Sequence, residues 1–218
     1  MVWDILVQIF LLLLGLLMLF SATGLPRRAL SGLRHRLLNR AGIQAKRHFV
    51  LGAQLLARAR AAPANRAAAR ALAKDAIAEA DKALSIDPKD AASHILKALA
   101  LEFQGRKNAA LKSIDAALAH PAVKTLSDRE RGDSLFKRAE LRMEVNRRRR
   151  VDSAVEDLVE SVRLSPENVK AYCLLGECYE QREEREAARK AYGEARRVDP
   201  SSVAAREGLI RLGATGVL

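Results

Sequence analysis

The sequence predicts an all-α protein: a stack of antiparallel helix pairs, preceded by a single transmembrane helix. Three observations carry this. Hydrophobic residues make up 49% of the chain but aromatics only 4%. The apolar content is therefore mostly alanine and leucine, which with Arg, Lys and Glu are the strong helix formers. No stretch alternates apolar and polar residues as a half-buried strand would. Finally, Asp87-Pro88, Ser165-Pro166 and Asp199-Pro200 punctuate the chain. The residue before a proline avoids helical geometry, so each dipeptide ends a helix.

The first element covers residues 1–22. From Val2 to Phe20 only Asp4 and Gln8 interrupt an apolar run. As a helix this run reaches about 28 Å, close to the roughly 30 Å of a bilayer's hydrocarbon core. Trp3 sits at an interfacial position, and Gly24 and Pro26 can end the helix. A cleaved signal peptide needs basic residues ahead of its apolar run and a small-residue cleavage site. Here Asp4 lies ahead and the arginines follow. That asymmetry predicts an uncleaved signal-anchor with the C-terminal domain in the cytosol, on the endoplasmic reticulum or an organelle outer membrane.

The second element, residues 23–43, is basic. The net charge is +12, yet no acidic residue lies between Asp4 and Asp75. Arg27, Arg28, Arg34, Arg36 and Arg40 intersperse Leu30, Leu33, Leu37 and Leu38 at helical spacing. Such a helix can rest its cations among anionic headgroups or pack on the domain that follows; the two readings are compatible.

The remaining elements are repeats. Tyr172, Leu175, Gly176 and Tyr179 are followed by Ala188, Tyr192, Ala195 and Pro200. The spacing resembles the tetratricopeptide repeat, W-x2-L-G-x2-Y then A-x3-F and Pro over 34 residues, with Tyr172 in the Trp place. Looser copies lie upstream. One runs through His94, Ala98, Leu101, Gly105, Ala110, Ile114 and Ala117. Another has Leu51, Gly52 and Leu55 on its first helix and Ala76, Ala80 and Ala83 on its second, separated by an insertion around Pro63. A third opens with Leu135 and Ala139 and closes with Ala154, Leu158 and Pro166. In it Asn146–Arg150 is expected to lengthen the internal turn, and Ser161 replaces the usual alanine. The repeats fall near 44–90, 91–122, 130–168 and 169–202 within a domain spanning 44–213. A capping helix closes that domain, and 214–218 is a tail. Small residues at Gly52, Ala98, Ala139, Gly176, Ala188 and Ala195 are expected to let helices approach closely.

The resemblance implies a right-handed superhelix whose concave groove, lined by the first helix of each pair, binds a peptide or helix. Carried over position by position, the groove residues are Phe49 in the first unit and Ile95, Leu99, Glu102 and Phe103 in the second. The third supplies Phe136, Glu140, Met143 and Glu144, and the fourth Glu177 and Glu180. This lining is apolar early and acidic late, which fits a partner segment both hydrophobic and basic. The Lys and Asn pair with which chaperone-tail binders of the family hold a carboxylate is missing, which argues against the C-terminal tails of Hsp70 and Hsp90.

The expected function is that of a membrane-anchored adaptor or scaffold binding a protein partner on the cytosolic side. Alternatives are a secreted or lumenal soluble scaffold after signal-peptide cleavage, and an import-receptor-like protein of an organelle outer membrane. An enzyme is not expected. The four histidines show no metal-ligand spacing, and G-x-S-x-G, G-x-x-x-x-G-K-[ST] and H-E-x-x-H are absent. No metal or cofactor is implied. The basic run at Arg147–Arg150 stands alone without aromatics, so no nucleic-acid partner is expected.

Overall fold

The computed structural model describes Trp3 and residues 25–61 and 65–213. The expected span over residues 1–22 lies outside them apart from Trp3, as does the tail. Among the described residues no helix is long and apolar enough to cross a membrane.

The described residues form eight α-helices and one short 3-10 turn, with no strand among them. Helix α1 is Leu25–Ala61, α2 Arg66–Ile86, α3 Ala91–Phe103 and α4 Lys107–Leu118. After the 3-10 turn Ala122–Thr125 come α5 Asp128–Leu164, α6 Val169–Gln181, α7 Arg185–Val198 and α8 Val203–Arg211. The chain divides into two compact units, 1–44 and 45–218. In the first, residues 25–44 are helical, with Arg40 and Ile43 exposed. No helix end marks the expected boundary near residue 43. Gly42 is the only weak helix former there, and one glycine costs about 1 kcal/mol relative to alanine without breaking a helix.

In the second unit the helices stack in sequence order as pairs. Residues 45–61 of α1 pack on α2 through Gly52 and Leu56 against Ala76 and Ala80, α3 packs on α4 and α6 on α7, and α8 covers the last pair. Local chemistry sets the boundaries. Asn65, Asp90, Asn168 and Ser202 each accept a hydrogen bond from a first-turn backbone N–H of the helix they precede. Ser127 and Glu130 form a reciprocal capping box at the start of α5, satisfying two backbone donors that a bare helix end leaves open.

The third pair departs from expectation. Asn146–Arg150 does not lengthen a turn. Only Asn146 leaves helical geometry (φ −157°, ψ 86°), and the arginines that follow are helical. Arginine is a good helix former, so α5 bends at one residue into two arms, 128–145 and 147–164. The arms are antiparallel: Arg138 bonds Asp157, Arg142 bonds Asp157 and the Ser153 carbonyl, and the Ser161 hydroxyl donates to the Gly132 carbonyl. Ser161 is thus more than a stand-in for alanine.

The core is a ladder of small residues. Ala98, Ala139, Ala188 and Ala195 are each 0–1% exposed. A Cβ added at Gly52 would lie 3.2 Å from the Ala76 carbonyl oxygen and 3.0 Å from Leu96 Cδ2. At Gly176 it would lie 2.6 Å from Tyr192 Cζ. Tyr192 is buried, and Leu175, Tyr172 and Tyr179 pack in the clusters around it and beneath it, while Pro200 is exposed.

Candidate partner-binding groove

The first helix of each pair contributes one face to a groove, and two adjoining clefts occupy it. The first is about 640 Å³. Its α1 wall is Phe49, Ala53, Leu56 and Ala57, its α3 wall Ile95, Leu96 and Leu99, and its far wall Ser134, Phe136 and Lys137 of α5. The second is about 560 Å³. Phe136, Glu140, Met143 and Glu144 of α5 face Val169, Lys170, Cys173, Leu174 and Glu177 of α6 across it. Phe136 and Lys170 line both, so the clefts are continuous. The lining recurs at i, i+4 and i+7 because such residues share one helix face.

Eight of the eleven groove residues expected from sequence meet in these clefts: Phe49, Ile95, Leu99 and Phe136, then Glu140, Met143, Glu144 and Glu177. Three do not. Glu102 lies outside both clefts and reaches the Lys137 ammonium at 3.2 Å. Phe103 is 36% exposed at the end of α3. Glu180 serves the cap instead: it accepts from Arg211 at 2.8 Å and from the Tyr192 hydroxyl. The hydrogen bond from Arg211 holds its carboxyl below the usual carboxylate range against the pull of burial.

The acidic half of the groove is neutralised from within. Glu140 bonds Lys137, Glu144 lies 3.2 Å from Lys107, and Glu177 lies 3.2 Å from Arg147. Burial works to lower the Lys137 ammonium, but Glu140 and Glu102 outweigh it and hold it above the ordinary lysine value. Sequence shows the glutamates but not these cations, which arrive from other turns or other helices. Lys170 was missed likewise: Asn168 caps α6 and so places Lys170 in its first turn, at the junction of the clefts.

The two cysteines serve different surroundings. Cys173 lines the second cleft, and Cys178 lies in the core at 0% exposure, where burial, reinforced by Glu177, pushes its thiol up to about 12. Both are free thiols. Among the described residues no three His, Cys, Asp or Glu side chains converge on a metal-sized site.

Residues 169–202 match the tetratricopeptide repeat model, which is α6, α7 and their turns. The fold is tetratricopeptide-repeat-like. Solved structures of the same fold agree over most of the chain. A MamA protein is 16% identical with a TM-score of 0.63, covering 79% of this chain and 82% of its own. PilF of Pseudomonas aeruginosa is 19% identical with a TM-score of 0.60, covering 81% and 71%. YrrB, a TPR protein with an unusual peptide-binding site, is 17% identical with a TM-score of 0.53, covering 66% and 72%. No curated protein matches the chain in sequence. The tetratricopeptide-like pairs place their first helices side by side, which is why residues far apart in sequence line one groove.

Proposed function

We propose that the chain is a non-enzymatic scaffold that holds an apolar, helical segment of a partner protein in this groove. One observation carries the reading. Phe49, Leu56, Ile95, Leu99 and Phe136 form a continuous apolar wall across three helix pairs. Laying an amphipathic helix into such a wall is a recurrent mode of peptide recognition. The neighbouring cleft adds Glu140, Glu144 and Glu177. Basic side chains on the segment would exchange with Lys107, Lys137 and Arg147 as their partners. Coulomb exchange of this kind gives orientation more than affinity, so the apolar wall carries the binding. The peptide-binding site of YrrB, on a fold of the same kind, supports the assignment. The apolar run of residues 2–20 and the arginines after it favour a scaffold tethered to a membrane, on the endoplasmic reticulum or an organelle outer membrane, with its groove in the cytosol.

Panning a random-peptide library against the full chain tests the groove. Selected peptides should space apolar residues at i, i+3 or i+4, and i+7. Phe136→Ala with Leu99→Ala should weaken them by at least about tenfold, as loss of central aromatic anchors does, with the thermal melt confirming the fold. Peptides that bind the double variant as well as the parent would end the groove reading.

A further inference from the structure

The turns within the pairs share one edge of the repeat unit, and contacts link them in order. The Gln104 side chain reaches the Arg70 carbonyl, tying the α3–α4 turn to the start of α2. Lys107 meets Glu144, and Gly105, Arg106 and Asn108 lie with Val145 around one shallow depression, tying that turn to the bend of α5. The charge on this edge is one-sided. Arg58, Arg60, Arg66 and Arg70 flank the first turn and are exposed, Arg60 also reaching the rim of the first cleft. Arg106 and Lys107 follow at the second turn, then Arg147, Arg148, Arg149 and Arg150 at the bend. The acids beside these are Glu144, committed to Lys107, Glu177, which pairs with Arg147, and Asp152, which pairs with Arg182. Among the described residues the four arginines of the first turn, Arg106, Arg148, Arg149 and Arg150 have no carboxylate within 4.0 Å. The row stops at the α6–α7 turn, where Glu183 and Glu184 intervene and Arg182 is paired with Glu184 and Asp152.

The opposite edge carries the connections between pairs, and its charges are mixed. Asp87, Asp128 and Glu167 stand there beside the exposed Lys89, Lys124 and Lys170. The excess positive charge of the repeat unit is therefore densest on the turn edge.

We propose that the arginine edge lies on an anionic phospholipid bilayer. Three features choose this partner. The cations form a row across three turns and do not converge on one pocket, so they match an extended surface and not a single phosphate. In the shallow depression between the second turn and the bend Lys107 is already spent on Glu144, which leaves Arg106 as its one uncommitted cation, too few to hold a compact anion. No aromatic side chain lies between 57 and 71, 104 and 109, or 144 and 152, and Phe103 beside the second turn stands alone, so successive bases would find no row of rings to stack on. The choice of a bilayer over other polyanions rests on the membrane tether read from residues 2–20. Guanidinium groups held near an anionic leaflet attract it additively, and the mixed charge of the opposite edge leaves the arginine edge as the side drawn to the lipid.

The full chain is mixed with vesicles of phosphatidylcholine alone, or with about one third phosphatidylserine, a strongly anionic surface. Flotation with the neutral vesicles reads the tether. Amide exchange in 104–108 and 146–150 reads the edge. Exchange there should slow several-fold on anionic relative to neutral vesicles, while 87–90 and 165–168 do not change, and high salt should erase the difference. Arg148→Glu with Arg149→Glu should abolish it, and so should Arg66→Glu with Arg70→Glu at the first turn, so that neither result depends on one site. A chain that ignores neutral vesicles but floats on anionic ones, with exchange slowed at 104–108 and 146–150, would discard the tether and keep the edge. Equal exchange on both vesicle types would overturn the proposal, as would protection of the edge by an RNA oligonucleotide but not by lipid.

Discussion

The third and fourth helix pairs solve one packing problem with different chemistry. In both, a glycine on the first helix lets its partner come close. In the fourth pair the space beside Gly176 is filled by the ring of Tyr192. The same ring occupies the space beside Gly208 of α8, where an added Cβ would lie 2.5 Å from Cζ. One aromatic therefore locks three helices. In the third pair the space beside Gly132 is filled by Ser161 and Ser165: an added Cβ would sit 3.1 Å from the Ser161 carbonyl oxygen and 2.9 Å from Ser165 Cβ. Beside it Asp157, its side chain 5% exposed, takes hydrogen bonds from Arg138 Nε at 2.8 Å and Arg142 Nη1 at 2.7 Å. Apolar fill specifies the fourth pair, and directed polar contacts specify the third. A repeat can thus keep its geometry after losing its signature residues, provided buried polar groups find partners.

The sharpest way to break the contrast is Tyr192→Ala. It empties the space shared by Gly176 and Gly208 and should cost about 3–5 kcal/mol, as large-to-small changes of buried aromatics do. The loss should appear as a lower urea midpoint together with faster amide exchange in α8, because the cap loses its anchor. Retention of the parent midpoint would mean that the cap and the fourth pair do not depend on the ring. Next in size is Asp157→Ala. It leaves two guanidinium groups without their carboxylate. Removing one partner of a buried pair costs about 3–5 kcal/mol, but Arg138 and Arg142 keep 20% and 18% side-chain exposure, so about 2–3 kcal/mol is expected. Replacing all three residues by leucine should restore most of it, since an apolar fill of similar volume removes the stranded charges. A triple variant as unstable as the single one would show that the third pair needs its ions for more than mutual neutralisation.

These differences decided what was legible in the sequence. The fourth pair was readable because small and aromatic residues at fixed spacing are local signals: Tyr172, Gly176, Tyr179, Ala188 and Tyr192 announce themselves within one window. The bend at Asn146 was not. An arginine run looks like a solvated loop, yet each arginine favours helix, and the off-helix residue is a single asparagine. Asp157 looked like any surface acid, because its burial depends on arginines a helix away. The groove shows the same division. Phe49, Leu99 and Phe136 could be placed from periodicity, whereas the cations beside Glu140, Glu144 and Glu177 depend on pairings between positions that periodicity does not connect. The start of the first pair is set differently: nothing between Leu25 and Ala61 stops the helix, so the expected start at 44 rests on repeat spacing alone.

The smallest expected effect lies in the cap, where the fourth pair borrows the third pair's chemistry. Arg211 donates to Glu180 at 2.8 Å and sits over the Tyr192 ring, 5.9 Å from its centroid. Glu180's carboxyl is held below its ordinary value of 4.5, first by the bond from Arg211 and also by Tyr192. A lowered carboxylate stabilises the fold fully above its unfolded value, and that contribution disappears as pH falls through the lower folded value. Arg211→Gln should remove most of it at neutral pH. The side chain of Arg211 is 51% exposed, so solvent screens the pair and the loss should be only about 0.5 kcal/mol. Urea midpoints of parent and variant should therefore differ at pH 7 and converge as the solution is acidified below pH 4.5. High salt should narrow the gap at pH 7 as well. A gap that persists unchanged into acid would assign the role of Arg211 to its packing over the Tyr192 ring, and the cap would then be held by apolar fill alone.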